Sequence, residues 1–441
     1  MGGFLSTPGI LYQRKAKPVT KPRPQAEYFI ALRYLLGRAR EGGRYLRGAA
    51  AGIALSLIPI IVTLIVSDGM IRGITDRYLE LGTGHLRIYS YHSAEETLLD
   101  NDFSQFPQIR GLWAEQQGLG VIMGNRGKSG ATIRAVDPSF WEDPGSSRFL
   151  RVISGSMMIE NAGEVLLGEE LAAAIGAELG QTIYIMSIRV SESGMNIPRT
   201  MPFLVKGIVS SGYRELDAFW CILSKEGGNR ILAPELSSSF LVAKVQDPYG
   251  NLELLARNIA WTLGAGYGIY TWMDLQRSQY SSYESTRQLL LFIMALIVLV
   301  AAVNVSSATS MLVIERQRDI AVLKASGASP GSTSRIFLWA AFLTGLTGSA
   351  IGASLGLLLG YFINPLIRCI EWVLNLFSHI FHGEEVKILD PGYYLETIPI
   401  IINWKMVALI MVFSILCSVL SSYLPARRAG KIQPIELLRK F

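Results

Sequence analysis

The hexapeptide 124–129 has the strongest formal likeness to a chemical motif in this chain. It ends in Gly127-Lys128-Ser129, the ending of a phosphate-binding loop. Such a loop needs another glycine five residues before Gly127, because its backbone N–H groups must wrap around the phosphates. That position holds Ile122. We therefore predict a turn at this hexapeptide and no nucleotide bound by this chain.

The remaining side chains that could do chemistry are histidines and cysteines, and neither set has the spacing of a site. His379 and His382 can at most share a helix face, for which a surface amphipathic segment is the better interpretation. Cys417 lies in an apolar run, and Cys221 and Cys369, although they could pair, are expected to be unpaired thiols. The sequence has no serine nucleophile elbow and no outstanding carboxylate pair. We predict a non-catalytic chain without a metal or a bound cofactor.

The charged segment 315–329 indicates a different kind of site. A charged turn precedes Ile320, Val322 and Leu323, and Gly327 follows as a stop signal. This pattern predicts a short helix whose apolar side chains are available to enter a partner's groove. A merely structural amphipathic loop is the alternative, and the pattern alone does not separate the two.

Composition indicates that this segment lies next to a membrane. The chain is 50% hydrophobic and 17% charged, with a mean hydropathy of +0.32, so both membrane and aqueous parts are expected. Uncharged apolar runs predict four transmembrane helices, at 48–67, 287–314, 336–363 and 405–424. The first run is interpreted as an anchor rather than a signal peptide, because Ser67-Asp68-Gly69-Met70 offers no cleavage site.

Charge distribution orients these spans. Basic residues crowd the N-terminal tail, the 315–335 loop and the C-terminal tail 425–441, whereas the long insert has more acids than bases. By the positive-inside rule both termini are cytoplasmic, while the insert 68–286 and a loop 364–404 lie outside. The net charge of +6 therefore indicates a membrane surface and no nucleic acid. A basic Pro-rich tail 1–25 precedes a predicted amphipathic interfacial helix 26–47 that lies on membrane lipids.

The insert must fold in water and reads as an α+β domain. Strands are predicted at 85–89, 120–123, 132–136, 164–167, 182–186, 203–209, 221–224, 239–245 and 268–272, with helices at 105–117, 168–175 and 252–263. A long β-hairpin is predicted at about 183–209, with Gly194, Met195, Pro198 and Arg199 at its tip. An ordinary surface loop is an equal alternative from the pattern alone.

Two of the predicted spans carry signs of close packing. The third has Gly348, Gly352, Gly356 and Gly360 at four-residue steps, which strips one helix face of side chains and lets another helix approach. The second carries Asn304, whose amide should face protein or a cavity rather than lipid.

Several of these stretches together resemble a known family. They are the run 315–329, the Gly-rich third span, Tyr423-Leu424-Pro425-Ala426-Arg427-Arg428-Ala429, Gly84-His85, Gly207-Ile208, Gly212-Tyr213, Asp217 and Val300-Ala301-Ala302 with Asn304. They are similar to the four-helix ABC transporter permeases that include the macrolide exporter and the FtsX-type proteins. Within that family the resemblance is to the lipoprotein-releasing (Lol) permeases of the LolC and LolE type.

The resemblance implies a bacterial inner-membrane permease with a periplasmic insert of two α+β subdomains, paired with a second copy or a paralogue. It implies that a separate cytoplasmic ATPase holds ATP and Mg and docks on a coupling helix within 315–329. The coupling residues so implied are Glu315, Arg316, Arg318, Asp319, Ile320, Val322, Leu323, Lys324 and Gly327.

The implied activity is extraction of lipoproteins from the inner membrane and their transfer to a periplasmic carrier protein. In the carrier-recruiting permease of this group a hairpin does the catching, and Gly194, Met195, Pro198 and Arg199 fall in the equivalent place. A same-fold permease that exports another substrate or transmits force to periplasmic partners is the runner-up. A membrane-anchored sensor or adhesion module would need neither an ATPase nor a coupling helix.

Overall fold

The computed structural model describes residues 24–36, 43–91, 103–190, 195–380, 388, 395 and 397–432. They fall into two compact units. The membrane unit comprises the described residues of 1–62, 291–359 and 403–441, and the insert unit those of 63–290 and 360–402. Gly194 at the hairpin tip, the tail before Pro24 and the C-terminal residues after Ile432 lie outside the described residues.

The α-helices of the described residues are α1 (Pro24–Leu36), α2 (Gly43–Arg77), α3 (Ser139–Glu142), α4 (Pro144–Phe149), α5 (Glu169–Ile175), α6 (Arg214–Asp217), α7 (Lys225–Ile231), α8 (Leu252–Leu263), α9 (Trp272–Leu275), α10 (Arg277–Glu315), α11 (Gln317–Ala325), α12 (Pro330–Tyr361), α13 (Ile363–Ile380), α14 (Trp404–Ser421) and α15 (Tyr423–Lys431). A π-helical segment, Tyr78–Thr83, continues α2, and a 3₁₀ turn covers Pro234–Leu236.

The strands are β1 (Leu86–Ser90), β2 (Ile109–Met123), β3 (Lys128–Val136), β4 (Arg151–Gly155), β5 (Glu164–Gly168), β6 (Thr182–Val190), β7 (Asn196–Ser210), β8 (Trp220–Ser224), β9 (Ser238–Val245) and β10 (Tyr267–Thr271).

Within the described residues, four helical stretches are long and apolar enough to cross a membrane: α2 with its π-helical continuation, α10, α12, and α14 with α15. The predicted fold class of four spans with an α+β insert between the first and second is confirmed. Both α2 and α10 extend well beyond the predicted spans. Their outer turns are polar, and a hydropathy pattern detects only the length of helix that lies in hydrocarbon.

Two segment boundaries differ from the prediction. The segment 364–404 was predicted as a loop, but its first half forms the helix α13, because polar and apolar residues there recur at helical spacing. The interfacial helix predicted at 26–47 ends at Leu36 as α1, and Gly43 already begins α2. Both α1 and the start of α2 contribute to one buried cluster, through Ala31, Leu35 and Leu46 among others.

The ten strands that the structure describes in the insert form one connected sheet with an open part and a closed part. In the closed part, β2, β3, β8, β5, β7 and β6 pair in a ring, since β6 bonds both to β7 and back to β2. Alternate residues of these strands, such as Ile133, Ile185 and Phe203, fill the ring with help from α5 and α7. In the open part, β9, β1 and β10 continue the sheet from β2, and α8 covers one face.

The helix predicted at 105–117 is wrong, because this segment is most of strand β2. Four consecutive residues from Trp113 to Gln116 are buried, so the strand shows no polar face. Glu115 points inward to a buried arginine, and a polar residue on the inner side destroys the alternation that identifies a strand.

The turn predicted at 124–129 joins β2 to β3, with the N–H of Gly124 donating to the carbonyl of Gly127 at 2.9 Å. All three cysteines are free, as expected, and Cys221 lies inside the ring of strands.

Candidate functional site

The segment 315–329 folds into the short helix α11, which is fixed at both ends. It follows α10 with Arg316 as the single intervening residue. It ends at Ala325, and Gly327 follows two residues later with a positive φ of 97° that favours glycine. The N–H of Ala328 then donates to the carbonyl of Leu323 at 3.0 Å. Next, the Ser329 hydroxyl accepts from the N–H of Ser332 at 3.1 Å and caps α12.

The inner side of α11 packs into the membrane unit. Ile320 has no exposed surface and lies in a buried cluster with Phe337 and Ala429, and Leu323 is half-buried against the same cluster. The prediction that Ile320 is available to a partner is therefore wrong, and Leu323 is only partly available. Apolar residues near a membrane surface satisfy the same pattern whether they bind a partner or their own chain.

Lys324 ties α11 to the C-terminal helix α15. Its ammonium group donates to the carbonyl oxygens of Gly430 and Ile432, each at 2.6 Å. These carbonyls end α15 and have no partners within the helix, so a cation is the favoured group there. Burial lowers the pKa of Lys324 from its ordinary value.

Arg316 and Glu27 attach α1 to the same assembly. The Arg316 guanidinium lies over the Tyr34 ring, 5.3 Å from its centroid, and donates to Asp319 at 3.0 Å. Glu27 is almost fully buried and accepts two hydrogen bonds from Arg335, at 2.7 and 2.8 Å. These bonds lower the pKa of Glu27 although burial opposes them. We call α1, α11, α15 and the first turns of α12 the four-helix platform.

The outer side of α11 is left exposed on this platform. Arg318, Val322 and Ala325 recur at helical spacing and form what we call the outer strip. Val322 is 60% exposed, and the predicted coupling residues Glu315 and Gly327 are exposed as well. The outer strip can therefore place one aliphatic side chain, flanked by a cation, into a groove of another protein.

The predicted hairpin tip lies on the insert unit. Val190 of β6 pairs with Asn196 of β7, so the two strands run together to the tip. Met195 and Pro198 are exposed, whereas Arg199 is half-buried and pairs across the hairpin with Ser187. An apolar ridge that includes Tyr184 and Ile188 runs along one face.

The glycine face of α12 lies against α2. A Cβ atom added to Gly348 would stand 2.7 Å from the carbonyl oxygen of Ala50, and one added to Gly352 would stand 2.8 Å from Ala54. A Cβ atom added to Gly356 would likewise contact Ile61. One added to Gly360, which belongs to the insert unit, would contact Ile65. These glycines allow the two backbones to approach more closely than any larger residue would permit.

Gly352→Val is expected to destabilise the membrane unit by about 1–3 kcal/mol, because the new methyl groups would meet the Ala54 backbone. The midpoint of thermal unfolding of the full chain in detergent measures this effect. Ser354→Val, on the exposed side of the same helix, is the matched control and should change little. Equal midpoints for the two variants would show that the glycine face is not needed for packing.

The prediction that Asn304 faces protein or a cavity stays a prediction. Within this chain its side chain is exposed on α10, as is that of Ser307 one turn later. Thr309 of α10, by contrast, faces its own chain, and its hydroxyl lies 3.1 Å from that of Ser422.

A buried ionic cluster, missed by the sequence analysis, joins the π-helical continuation of α2 to the sheet of the insert. Lys244 of β9 donates to Glu80 at 2.6 Å and also to Asp143. The N–H of Val245 donates to Nδ1 of His85, so the proton of this imidazole is on Nε2, which faces Glu80 at 3.3 Å. Although burial opposes them, His85 and Lys244 lower the pKa of Glu80 to about 2.

A second buried pair lies beside this cluster. Arg134 of β3 donates twice to Glu115 of β2, at 2.6 and 2.9 Å, and once to the carbonyl of Leu81 in the π-helical segment. Despite complete burial, Arg134 keeps the pKa of Glu115 below its ordinary value. A sequence signal was present, because Arg134 and Lys244 each stand between apolar residues, in Ile133-Arg134-Ala135 and Ala243-Lys244-Val245. We call the two groups together the junction.

Comparisons with known proteins agree with these features. Residues 48–252 match the family model of the MacB-like periplasmic core domain, and residues 291–434 match that of the FtsX-like permease C-terminal domain. The Lipoprotein-releasing system transmembrane protein LolC of Xylella fastidiosa is 26% identical over 93% of this chain and 98% of its own. The corresponding LolE of Haemophilus influenzae is 24% identical, with the same coverage.

Among solved structures, the periplasmic region of MacB from Actinobacillus actinomycetemcomitans covers 46% of this chain and 95% of its own. It does so at 14% identity and a TM-score of 0.29.

Proposed function

Because the chain belongs to the MacB/FtsX family of ABC transporter permeases and is a Lol-type member of it, we propose that it extracts lipoproteins from the inner membrane. In this proposal a separate cytoplasmic ATPase binds the four-helix platform and supplies the energy. The chain itself is the non-catalytic membrane subunit. The lipoprotein that it releases passes to a periplasmic carrier protein.

The observation that carries the proposal is the outer strip on a rigid platform. A helix that transmits force must be fixed to its own subunit on one side and free on the other. Lys324 and Ile320 provide the fixed side, and Arg318 with Val322 provides the free side. The sequence lacks a complete phosphate-binding loop, which agrees with ATP hydrolysis on a partner.

Copurification tests the ATPase partner. The full chain, tagged and extracted in detergent, is expected to recover an ATP-binding subunit when the two are coexpressed. Recovery of no ATPase would contradict this part of the proposal, and the expected site of contact is tested by the Val322 variant described in the Discussion.

A second permease, identical or paralogous, is supported by the exposed face of α10. Leu296, Val300 and Val303 are exposed there, and Asn304 and Ser307 lie among them. Lipid covers apolar residues without cost, but it offers an amide no hydrogen-bond partner. A second permease packed on this face would cover Asn304 and supply polar groups.

The junction supports a route for force within the insert unit. It attaches the π-helical end of the first span to β2, β3 and β9 through charged groups, of which Arg134, Glu115 and Lys244 are almost fully buried. If the first span is displaced during transport, the sheet is therefore expected to move with it, because the junction resists bending at the connection between the two.

The hairpin is the proposed contact for the carrier protein. The strands β6 and β7 stay paired to Val190 and Asn196, beyond the last pairing of β6 with β2 at Met186. The exposed Met195 and Pro198 with the ridge residue Ile188 offer an apolar surface. An apolar surface of this kind suits a transient protein contact.

Arg199→Glu is expected to weaken carrier capture about tenfold, which corresponds to about 1.4 kcal/mol. The substitution replaces a cation beside the exposed tip with an anion, and photocrosslinking from position 195 to the purified carrier measures the effect. Arg257→Glu, on the exposed side of α8, is the charge-matched control. Unchanged crosslinking for Arg199→Glu would count against this use of the hairpin.

A further inference from the structure

The helix α13 turns its polar face toward its own chain and its apolar face outward, which is the reverse of a helix at a water-exposed surface. Its polar side chains Asn364, Glu371, Asn375 and Ser378 are seven, four and three residues apart, which places them on one helix face, and all four are half-buried. Its apolar side chains lie on the remaining face. A helix at a water-exposed protein surface places its polar stripe outward, so water is not the expected neighbour of the outer face of α13.

The polar stripe is bonded to its own chain. The Asn364 side chain donates to the carbonyl of Ile398 at 2.9 Å and accepts from the N–H of the same residue at 3.0 Å. Glu371 accepts from the N–H of Ile388 at 2.8 Å. The segment that leads toward the fourth span thus binds the polar face and fixes the rotation of α13.

The apolar stripe is left uncovered in consequence. It consists of the exposed side chains of Leu366, Ile370, Val373 and Leu374. Leu366 and Ile370 are 41% and 43% exposed, and Trp372 and Leu376 widen the same apolar surface. A continuous apolar face of this size on one helix needs a non-aqueous neighbour.

The position of α13 in the chain identifies that neighbour. It begins at Ile363, two residues after the third span ends at Tyr361. Its start is therefore held at the edge of the bilayer, on the side of the inserted domain. We propose that α13 is an interfacial helix whose apolar stripe lies in the acyl region of that leaflet. This inference rests on the spans and does not depend on the proposed function.

Nitroxide labels on the full chain in phosphatidylethanolamine and phosphatidylglycerol nanodiscs test this placement. Cys369→Ser removes the exposed native thiol, while Cys221 and Cys417 are buried. Single cysteines are then introduced by Leu366→Cys and Ile370→Cys. Their relative accessibility to oxygen and to a water-soluble nickel chelate should place both labels about 5–10 Å below the lipid phosphates.

Two further labels serve as references. Arg368 is exposed at the edge of the polar stripe, so a label at Arg368→Cys should lie at or above the phosphates. Trp261 on α8 is 91% exposed, so a label at Trp261→Cys gives the nickel accessibility of a water-exposed site. Nickel accessibility at positions 366 and 370 equal to that at 261 would overturn the proposal. Labels at both positions that are immobile and shielded from both reagents would also overturn it, because they would indicate a protein neighbour.

Discussion

Val322→Glu is expected to weaken binding of the ATPase subunit about 30-fold or more, corresponding to about 2 kcal/mol. Val322 is the exposed aliphatic residue of the outer strip, and a glutamate would have to lose its hydration to enter the same groove. Titration of the detergent-solubilised chain with the purified ATPase subunit measures the dissociation constant. ATP-driven lipoprotein release should fall with it.

The fold should not be affected by this substitution, because the Val322 side chain points away from the buried cluster. Val152→Glu, at an exposed valine of β4 in the insert, is the matched control and should bind the ATPase normally. Leu323→Arg is a poorer probe, since Leu323 also packs within its own chain. An unchanged dissociation constant for Val322→Glu would show that the outer strip is not the contact.

Arg134→Met is expected to destabilise the insert by about 3–5 kcal/mol. It would leave the fully buried Glu115 carboxylate without its main partner, and an unpaired buried charge is far more costly than the loss of an ordinary contact. It would also remove a donor from the carbonyl of Leu81. Hydrogen exchange of the β2 and β3 amides in the full chain measures the loss of protection.

Two further variants separate the charge effect from a general loss of packing. Arg134→Met combined with Glu115→Leu should recover part of the stability, because no charge is then left buried. Arg257→Ala removes a solvent-exposed ion pair with Glu253 and should leave exchange unchanged. If the double variant is no more stable than Arg134→Met alone, the pair does not act through its charge.

The parts of the fold that the sequence predicted are those with an uninterrupted period. Each of the four spans is a continuous apolar run, and most strands of the insert are short apolar or alternating segments. The glycines of α12 recur at four-residue steps. The end of strand β2 was predicted at 120–123, but its first part was predicted as a helix because Glu115 and Gln116 are polar and buried together. Helix α13 was placed in a loop because its polar face interrupts any run that a search for spans would accept.

The candidate site was only partly predictable for a related reason. The pattern at 315–329 identified α11, but it could not show that Ile320 faces the platform while Val322 faces outward, because that depends on where α12 and α15 lie. The junction required long-range pairing of Glu80, Arg134 and Lys244. Exposure of Asn304 likewise depends on the rotation of α10, which the apolar run at 287–314 does not determine.

The most direct test of lipoprotein release is to deplete this chain from its own host and follow mature lipoproteins by membrane fractionation. Depletion should make them accumulate in the inner membrane, and the Val152→Glu variant but not Val322→Glu should restore their release. Normal lipoprotein distribution after depletion would contradict the proposed substrate and favour a permease of the same family that exports another molecule or transmits force.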